Sequence, residues 1–332
     1  MASAVVEAPL HVAHHDATRA AVSTTALGVC AMRCWESKKD PSERLLYDPF
    51  AAILCGDENP QLPLKEEVGL TKEFWIDFIA VRSHWIDEAA GHLEQLVILG
   101  AGLDTRAYRL ESLRGVPVFE IDFEEVLNAK ATLLGAFEPV AKQSCIGANL
   151  TSPGWMKELF EKGFHQSSPS MWLLEGLTGY LTEEELDSLL RKVSDLAPPK
   201  SGMIATFVGV SMRENATSMH RYLVSGPQQI EELLSRFGWS CSVHGLGEVA
   251  EEYGRKEIPK DYAYYLVSVL LARMLKEELQ PDQVSHHTMI SAFSKGHQPL
   301  KALQALDVLR DRRRPGLAGY NAALRSLALE DE

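Results

Sequence analysis

The stretch Leu99 to Leu110, LGAGLDTRAYRL, limits what this chain can fold into more than any other. It follows Gln95 to Leu99 (QLVIL), an apolar run rich in β-formers, as expected of a strand buried on both faces of a parallel sheet. Gly100 and Gly102 remove Cβ atoms where that strand must turn toward a helix, so the backbone can take unusual dihedral angles and a ligand can lie directly against it. A second strand is expected at Val116 to Ile121 (VPVFEI), which carries Glu120 and is followed by Asp122. Doubly wound folds use a carboxylate at the tip of the second strand to hold the hydroxyls of an adenosine ribose. The pattern therefore reads as a nucleotide-cofactor loop.

A dinucleotide fingerprint has a third glycine three positions after Gly102, but Thr105 stands there, so a pyrophosphate site is incomplete. A phosphate-free adenosyl cofactor makes no such demand; its amino-acid end is a zwitterion that calls for an arginine and backbone acceptors. Downstream, strand and helix candidates alternate in the βαβ manner of a parallel sheet covered on both faces. Helices are expected at Phe123 to Phe137, Trp155 to Lys162, Thr182 to Leu196 and Pro227 to Phe237, and strands at Ser144 to Ala148, Met171 to Leu174, Gly202 to Val208, Ser240 to His244 and Tyr264 to Leu270. Thr182 and Glu185 form a capping box ahead of the third of these helices, and Pro198 with Pro199 stops it.

The loop is accompanied by VFEIDFEEVLNAK (Val118 to Lys130), MWLLEGLTGYL (Met171 to Leu181), TALGVCAMRCWES (Thr25 to Ser37) and YDPFA (Tyr47 to Ala51). In this order and spacing the segments resemble the leucine carboxyl methyltransferase family, a branch of the class I S-adenosylmethionine (SAM)-dependent methyltransferases, over residues 20 to 272. The resemblance implies an α/β, Rossmann-like fold: a seven-stranded, mainly parallel sheet with helices on both faces, its final strand antiparallel, and residues 20 to 92 forming a helical cover over the cofactor. Met212 to Ser225 would be an insertion near the substrate mouth.

The same resemblance implies SAM as cofactor. Gly100, Ala101, Gly102 and Asp104 would lie against it in the loop. Arg82, in FIAVRSHWIDEA, would bind its carboxylate through both oxygens. Asp122 would hold the ribose hydroxyls, with Glu120 as the nearby alternative, while Asn149 and Leu150 would meet the adenine. Asn149 departs from the family's usual aspartate and loses charge assistance, so weaker cofactor binding is expected. Glu175 would sit by the cofactor's amino group, whose charge would offset the cost of burying a carboxylate. Glu175 and Tyr180 are the candidate catalytic residues, with Tyr180 and Thr178 lining the acceptor pocket. A carboxylate acceptor, on a small molecule or a protein C-terminus, is ionised at neutral pH and needs no base. A hydroxyl acceptor would need one, and no histidine falls inside the matched motifs. The alternative is a non-catalytic adaptor, a degenerate SAM fold carrying a helical tail that binds RNA or protein.

Composition is compatible with an enzyme of this kind. The chain has 332 residues, 45% of them hydrophobic, enough for one large α/β domain and an appendage. No apolar run approaches the roughly 20 residues needed to span a bilayer, so no membrane partner is expected. A net charge of −13 argues against nucleic acid as a partner of the main body. Five cysteines, Cys30, Cys34, Cys55, Cys145 and Cys241, form no CxxC pair, which points to neither a metal site nor a disulfide framework and fits a reducing, cytoplasmic compartment. Residues 1–19 lack the apolar core of a secretory signal, contain Glu7, Asp16 and the triplet His11, His14, His15, and read as a disordered terminus; organellar targeting stays open.

Residues 20–274 are expected to form the methyltransferase domain, and residues 281–328 differ in kind. Pro281-Asp282 and Pro315-Gly316 are 34 residues apart, as are His286 and Tyr320. The segment resembles a pentatricopeptide repeat, a helical hairpin used in arrays that read single-stranded RNA. One repeat and the start of another cannot bury both faces, so a docked helical hairpin appendage or a relic of a longer protein is expected in preference to RNA binding.

Overall fold

The computed structural model describes residues 24–56, 60, 70–89, 94–198, 200–210 and 221–269. The expected disordered terminus, most of the insertion at Met212 to Ser225, Leu270 and the repeat-like segment at 281–328 lie outside the described residues.

Seven strands form one sheet in the order β3-β2-β1-β4-β5-β7-β6. They are β1 (Gln95–Leu99), β2 (Pro117–Asp122), β3 (Lys142–Gly147), β4 (Ser170–Leu174), β5 (Gly202–Val208), β6 (Cys241–Gly245) and β7 (Tyr264–Val269). The first five run parallel, and β7 is antiparallel to both β5 and β6. The helices are α1 (Thr24–Ser37), α2 (Ala51–Cys55), α3 (Lys72–Ala89), α4 (Arg106–Arg109), α5 (Glu124–Leu134), α6 (Gly154–Glu161), α7 (Glu183–Leu196), α8 (Pro227–Ser235) and α9 (Leu246–Glu252).

Burial explains the order. Every residue of β1, β4 and β5 is buried, as apolar runs without alternation require at the centre of a doubly covered sheet. Strand β3, with Lys142 exposed and Gln143 half-buried, takes an edge. Alternate side chains of each strand then point to opposite faces. Val97, Leu99, Phe119, Ile121, Trp172 and Leu174 pack with α6, α7 and α8, whereas Leu96, Ile98, Val118, Met171 and Leu173 pack with α3 and α9. A third cluster joins Cys30, Cys34, Ala51 and Leu54 of α1 and α2 to Leu103 of the glycine loop and to Leu133 and Leu134 of α5. The N-terminal helices therefore rest on the loop.

The expected elements are present with small shifts. Of the helix expected at Phe123 to Phe137, Phe123 stands as the N-cap, outside the helical region, and α5 ends at Leu134 before Gly135. The helix after the glycine loop is a single turn, followed by a 3-10 turn at Glu111–Leu113. Helix α9 is not among the expected elements. A Cβ on Gly247 would lie 2.0 Å from the Pro259 carbonyl oxygen, so the glycine lets the chain cross the helix closely. In α7 the Thr182 hydroxyl accepts from the Glu185 amide at 3.2 Å, and the Glu185 carboxylate accepts from the Thr182 amide at 2.8 Å. Ala197, held extended before Pro198, ends the helix. Removing the cap by Thr182→Ala is expected to lower unfolding stability by about 1 kcal/mol in a urea titration without changing the m-value.

Candidate functional site

The site is built at the carboxyl ends of the parallel strands. At the end of β1, Gly100 (φ 70°) and Gly102 (φ 50°) occupy the left-handed region that favours glycine. A Cβ on Gly100 would come within 3.1 Å of Leu177 Cδ1. The amides of Gly100 and Ala101 donate to the Ile121 carbonyl at 2.9 and 3.2 Å, which ties the loop to β2. Asp122, at the tip of β2, completes the join: Oδ2 accepts from the Gly102 amide at 2.6 Å and Oδ1 from the Phe123 amide at 2.7 Å. Burial pushes the Asp122 pKa up, and these two N–H groups pull it back.

Glu175 follows β4 and faces two guanidinium groups. Arg82 Nε of α3 donates to Oε1 at 2.7 Å, and Arg106 Nη1 of α4 donates to Oε2 at 2.7 Å. Arg106 is 2% exposed and also engages Asp104 through Nη1 and Asp87 Oδ1 through Nε at 2.6 Å. Arg109 closes the network on Asp87 with bonds of 2.6 and 3.1 Å. Three arginines thus face three carboxylates, and the charges balance out of water, as buried ions must. Burial works against ionisation of Glu175, yet Arg106 and Arg82 outweigh it and hold its pKa below the usual value. The same contest at Asp104, where Arg106 leads and Lys130 and Arg33 assist, leaves a pKa of about 2.

This corrects one expectation. The half-buried Glu175 is offset by Arg82 and Arg106 of the chain itself and does not need a ligand ammonium to be tolerated. Arg82 is buried on α3, and its Nη1 also donates to the Tyr264 hydroxyl of β7 at 3.4 Å. Arg106, Asp87 and Arg109 had no sequence signal.

A second group clamps the loop from its N-terminal side. Arg33 of α1 donates to the Leu103 carbonyl at 2.7 Å and pairs with Asp48 at 3.1 Å. The Thr105 hydroxyl donates to Asp48 Oδ2 at 2.8 Å, while Asp48 Oδ1 accepts from the Phe50 amide at 3.0 Å. The residue in place of a third glycine therefore holds the YDPFA segment.

Other expected site residues stand differently. Glu120 is fully buried and pairs through Oε2 with Lys130 Nζ of α5 at 2.6 Å, while its Oε1 has no hydrogen-bond partner among the described residues. Asn149 is exposed, and its Oδ1 accepts from the amide and hydroxyl of Thr151 at 2.9 and 2.8 Å. Leu150 is buried, its carbonyl accepting from Trp155 Nε1 at 3.2 Å. The Thr178 hydroxyl donates to the Thr206 carbonyl at 2.6 Å, which occupies it in the fold. Tyr180 is half-buried on the 3-10 turn Thr178–Tyr180 beyond Glu175. Among the described residues there is no cluster of three or more side chains able to hold a metal ion, and no helix long and apolar enough to cross a membrane.

Residues 26–194 match the family described as leucine carboxyl methyltransferase. A relative from Mycobacteroides abscessus, provisionally named an S-adenosyl-L-methionine-dependent methyltransferase, is 36% identical over 195 residues, 53% of this chain and 62% of its own length. The chain thus spans less than two thirds of that protein. One of the same name from Mycobacterium ulcerans is 30% identical over 292 residues, covering 78% of this chain and 93% of the relative. In the crystal structure of a DUF574 family protein from Streptomyces avermitilis, a similar fold covers 73% of this chain and 96% of that one, at a TM-score of 0.50 and 12% identity.

The Asp104 network gives a signed prediction. Its stabilisation is fully present above about pH 4 and is lost as pH falls toward about 2, which is worth about 2 kcal/mol. Asp104→Asn is expected to be destabilised at neutral pH in denaturant titrations, and the gap from the wild type should narrow over that acid range; a gap constant with pH would contradict it.

Proposed function

The chain belongs to the leucine carboxyl methyltransferase family, and on that premise we propose that it is a SAM-dependent O-methyltransferase whose acceptor is a carboxylate, on a small molecule or a protein C-terminus. The observation that carries the reading is the junction of the positive-φ loop at Gly100 and Gly102 with Asp122, set beside the Arg82–Glu175 ion pair.

The residues fit the cofactor in three respects. The loop has no side chains at Gly100 and Gly102, so an adenosyl group can approach its peptide units, with Ala101 and Asp104 completing the loop. Each Asp122 oxygen accepts one amide N–H and retains capacity for a ribose hydroxyl. Arg82 and Glu175 offer a cation and an anion side by side, the complement of a zwitterion, for the carboxylate and ammonium of the amino-acid end. Asn149 fits less well: its oxygen is already used by Thr151, leaving an NH2 donor where the adenine amino group needs an acceptor, so adenine would rely on the Leu150 peptide and affinity would suffer.

When bound, SAM supplies an electrophilic methyl on a sulfonium. The chain's task is alignment and exclusion of water. Helices α1 and α2, held on the loop by Arg33 and Asp48, form the cover; Tyr180, on the turn after Glu175, lines the acceptor side. Attack by a carboxylate cancels opposite charges, which a dry pocket favours, and it needs no base. The described histidines are placed elsewhere: His84 lies against Tyr253, His244 against Trp85, and His165 in the loop that bonds Gln95.

SAM and S-adenosylhomocysteine are expected to raise the melting temperature, since a ligand at about 100 times its Kd adds about 2.7 kcal/mol to the folded state. No shift at saturation would favour the adaptor. Labelled methyl incorporated from SAM into a cell extract should be released as methanol by mild base, as an ester requires; base-stable label would point to a hydroxyl acceptor. Arg82→Lys is expected to weaken SAM binding about 10-fold by calorimetry with the fold intact.

A further inference from the structure

Arg106 holds more anions than any other group in the site. Its one guanidinium reaches Asp87 at the end of α3, Asp104 in the glycine loop and Glu175 at the end of β4. Two further cations share that load, but in different ways. Arg109 bonds Asp87, whereas Arg82 sits directly on Glu175 Oε1. If Arg82 is the group that binds a ligand carboxylate, it must divide its donors between that ligand and Glu175. Arg106 is then the partner that Glu175 keeps.

Building on the function proposed above, we propose that Arg106 is a positioning residue for cofactor recognition: by anchoring Glu175 Oε2 it holds the carboxylate in place while Oε1, which accepts from Arg82 Nε, retains acceptor capacity for a ligand, and so sets the site's preference for a ligand that carries an ammonium group. Arg106 does not touch the ligand in this account; it acts through Glu175. Its geometry suits the task because Nη1 bridges Asp104 and Glu175 while Nε is fixed by Asp87, which leaves the guanidinium plane little freedom. The groups facing Glu175 are Arg82 from α3, Arg106 from α4 and Asp104 from the loop, with the Tyr264 hydroxyl of β7 behind Arg82. With both arginines present Glu175 stays ionised through the neutral range; with Arg106 gone, burial and Asp104 both favour the protonated form.

The test compares two probes, S-adenosylhomocysteine, which carries the amino-acid end, and 5′-methylthioadenosine, which lacks it. Binding is measured by calorimetry to the wild type, Arg106→Gln, Arg106→Lys and the control Arg109→Gln. Arg106→Gln is expected to lose about 10-fold or more in affinity for S-adenosylhomocysteine and to keep its affinity for methylthioadenosine within about 2-fold. Arg106→Lys, a point charge that cannot fork three ways, should fall between it and the wild type. Arg109→Gln should leave the ratio of the two affinities unchanged. Between about pH 8 and about pH 5.5 the wild-type ratio should be flat, while that of the Arg106 variants should fall with pH as Glu175 takes up a proton.

Equal loss of both probes in the Arg106 variants would mean a structural hub and overturn the proposal, as would wild-type discrimination in Arg106→Lys. A wild-type ratio that itself drops across that pH range would overturn it without any variant. Failure of the wild type to bind either probe would instead remove the proposed function on which the inference rests.

Discussion

Glu175 is a carboxylate at the buried end of a central strand, and the geometry around it follows from the need to keep its charge out of water at tolerable cost. Ionised groups in such a place must be paired and hydrogen-bonded, or they neutralise. Arg82 and Arg106 meet that need from α3 and α4, and because Arg106 also holds Asp104 and Asp87, the charge balance fixes the glycine loop, the end of α3 and the end of β4 relative to one another. Arg82 and Glu175 are in direct contact, and each has a further partner: the Tyr264 hydroxyl for Arg82 and Arg106 for Glu175.

The loop itself is held from two sides. Asp122 grips it through the Gly102 amide from the neighbouring strand, and the Asp48–Thr105–Arg33 group grips it from the N-terminal helices. Thr105 stands where a dinucleotide fold would place a glycine for close helix packing. Its hydroxyl exchanges that close approach for a tether to YDPFA, so the segment before the sheet becomes part of the loop's support. By thermodynamic reciprocity, a ligand that tightens the loop also tightens α1, and loosening α1 weakens the ligand.

The sheet is legible in the sequence because β1, β4 and β5 are uninterrupted apolar runs and the glycine loop marks where the first of them ends. Strand β3 is less so, since an edge permits Lys142 and Gln143. Helix α9 carries Gly247 in its first turn, whose reason is a backbone crossing that only three dimensions reveal. Of the candidate site, the loop, Asp122, Arg82 and Glu175 can be found from position and resemblance. The ion network cannot: Arg106 meets Glu175 across 69 residues and Asp87 across 19, with no spacing that a helix or strand period would flag. The ion pair of Glu120 with Lys130, ten residues on at the end of VFEIDFEEVLNAK, likewise has no signal in the strand pattern.

Strand β7 runs against its neighbours, and that direction divides the domain. It begins at Tyr264, paired with Val208 and touching Arg82, and ends at Val269, paired with Met203 at the opposite rim of the sheet. The polypeptide therefore departs from the underside, a sheet's length from the glycine turn, and a label or fused module spliced on just past Val269 would start out remote from the mouth where substrates come and go.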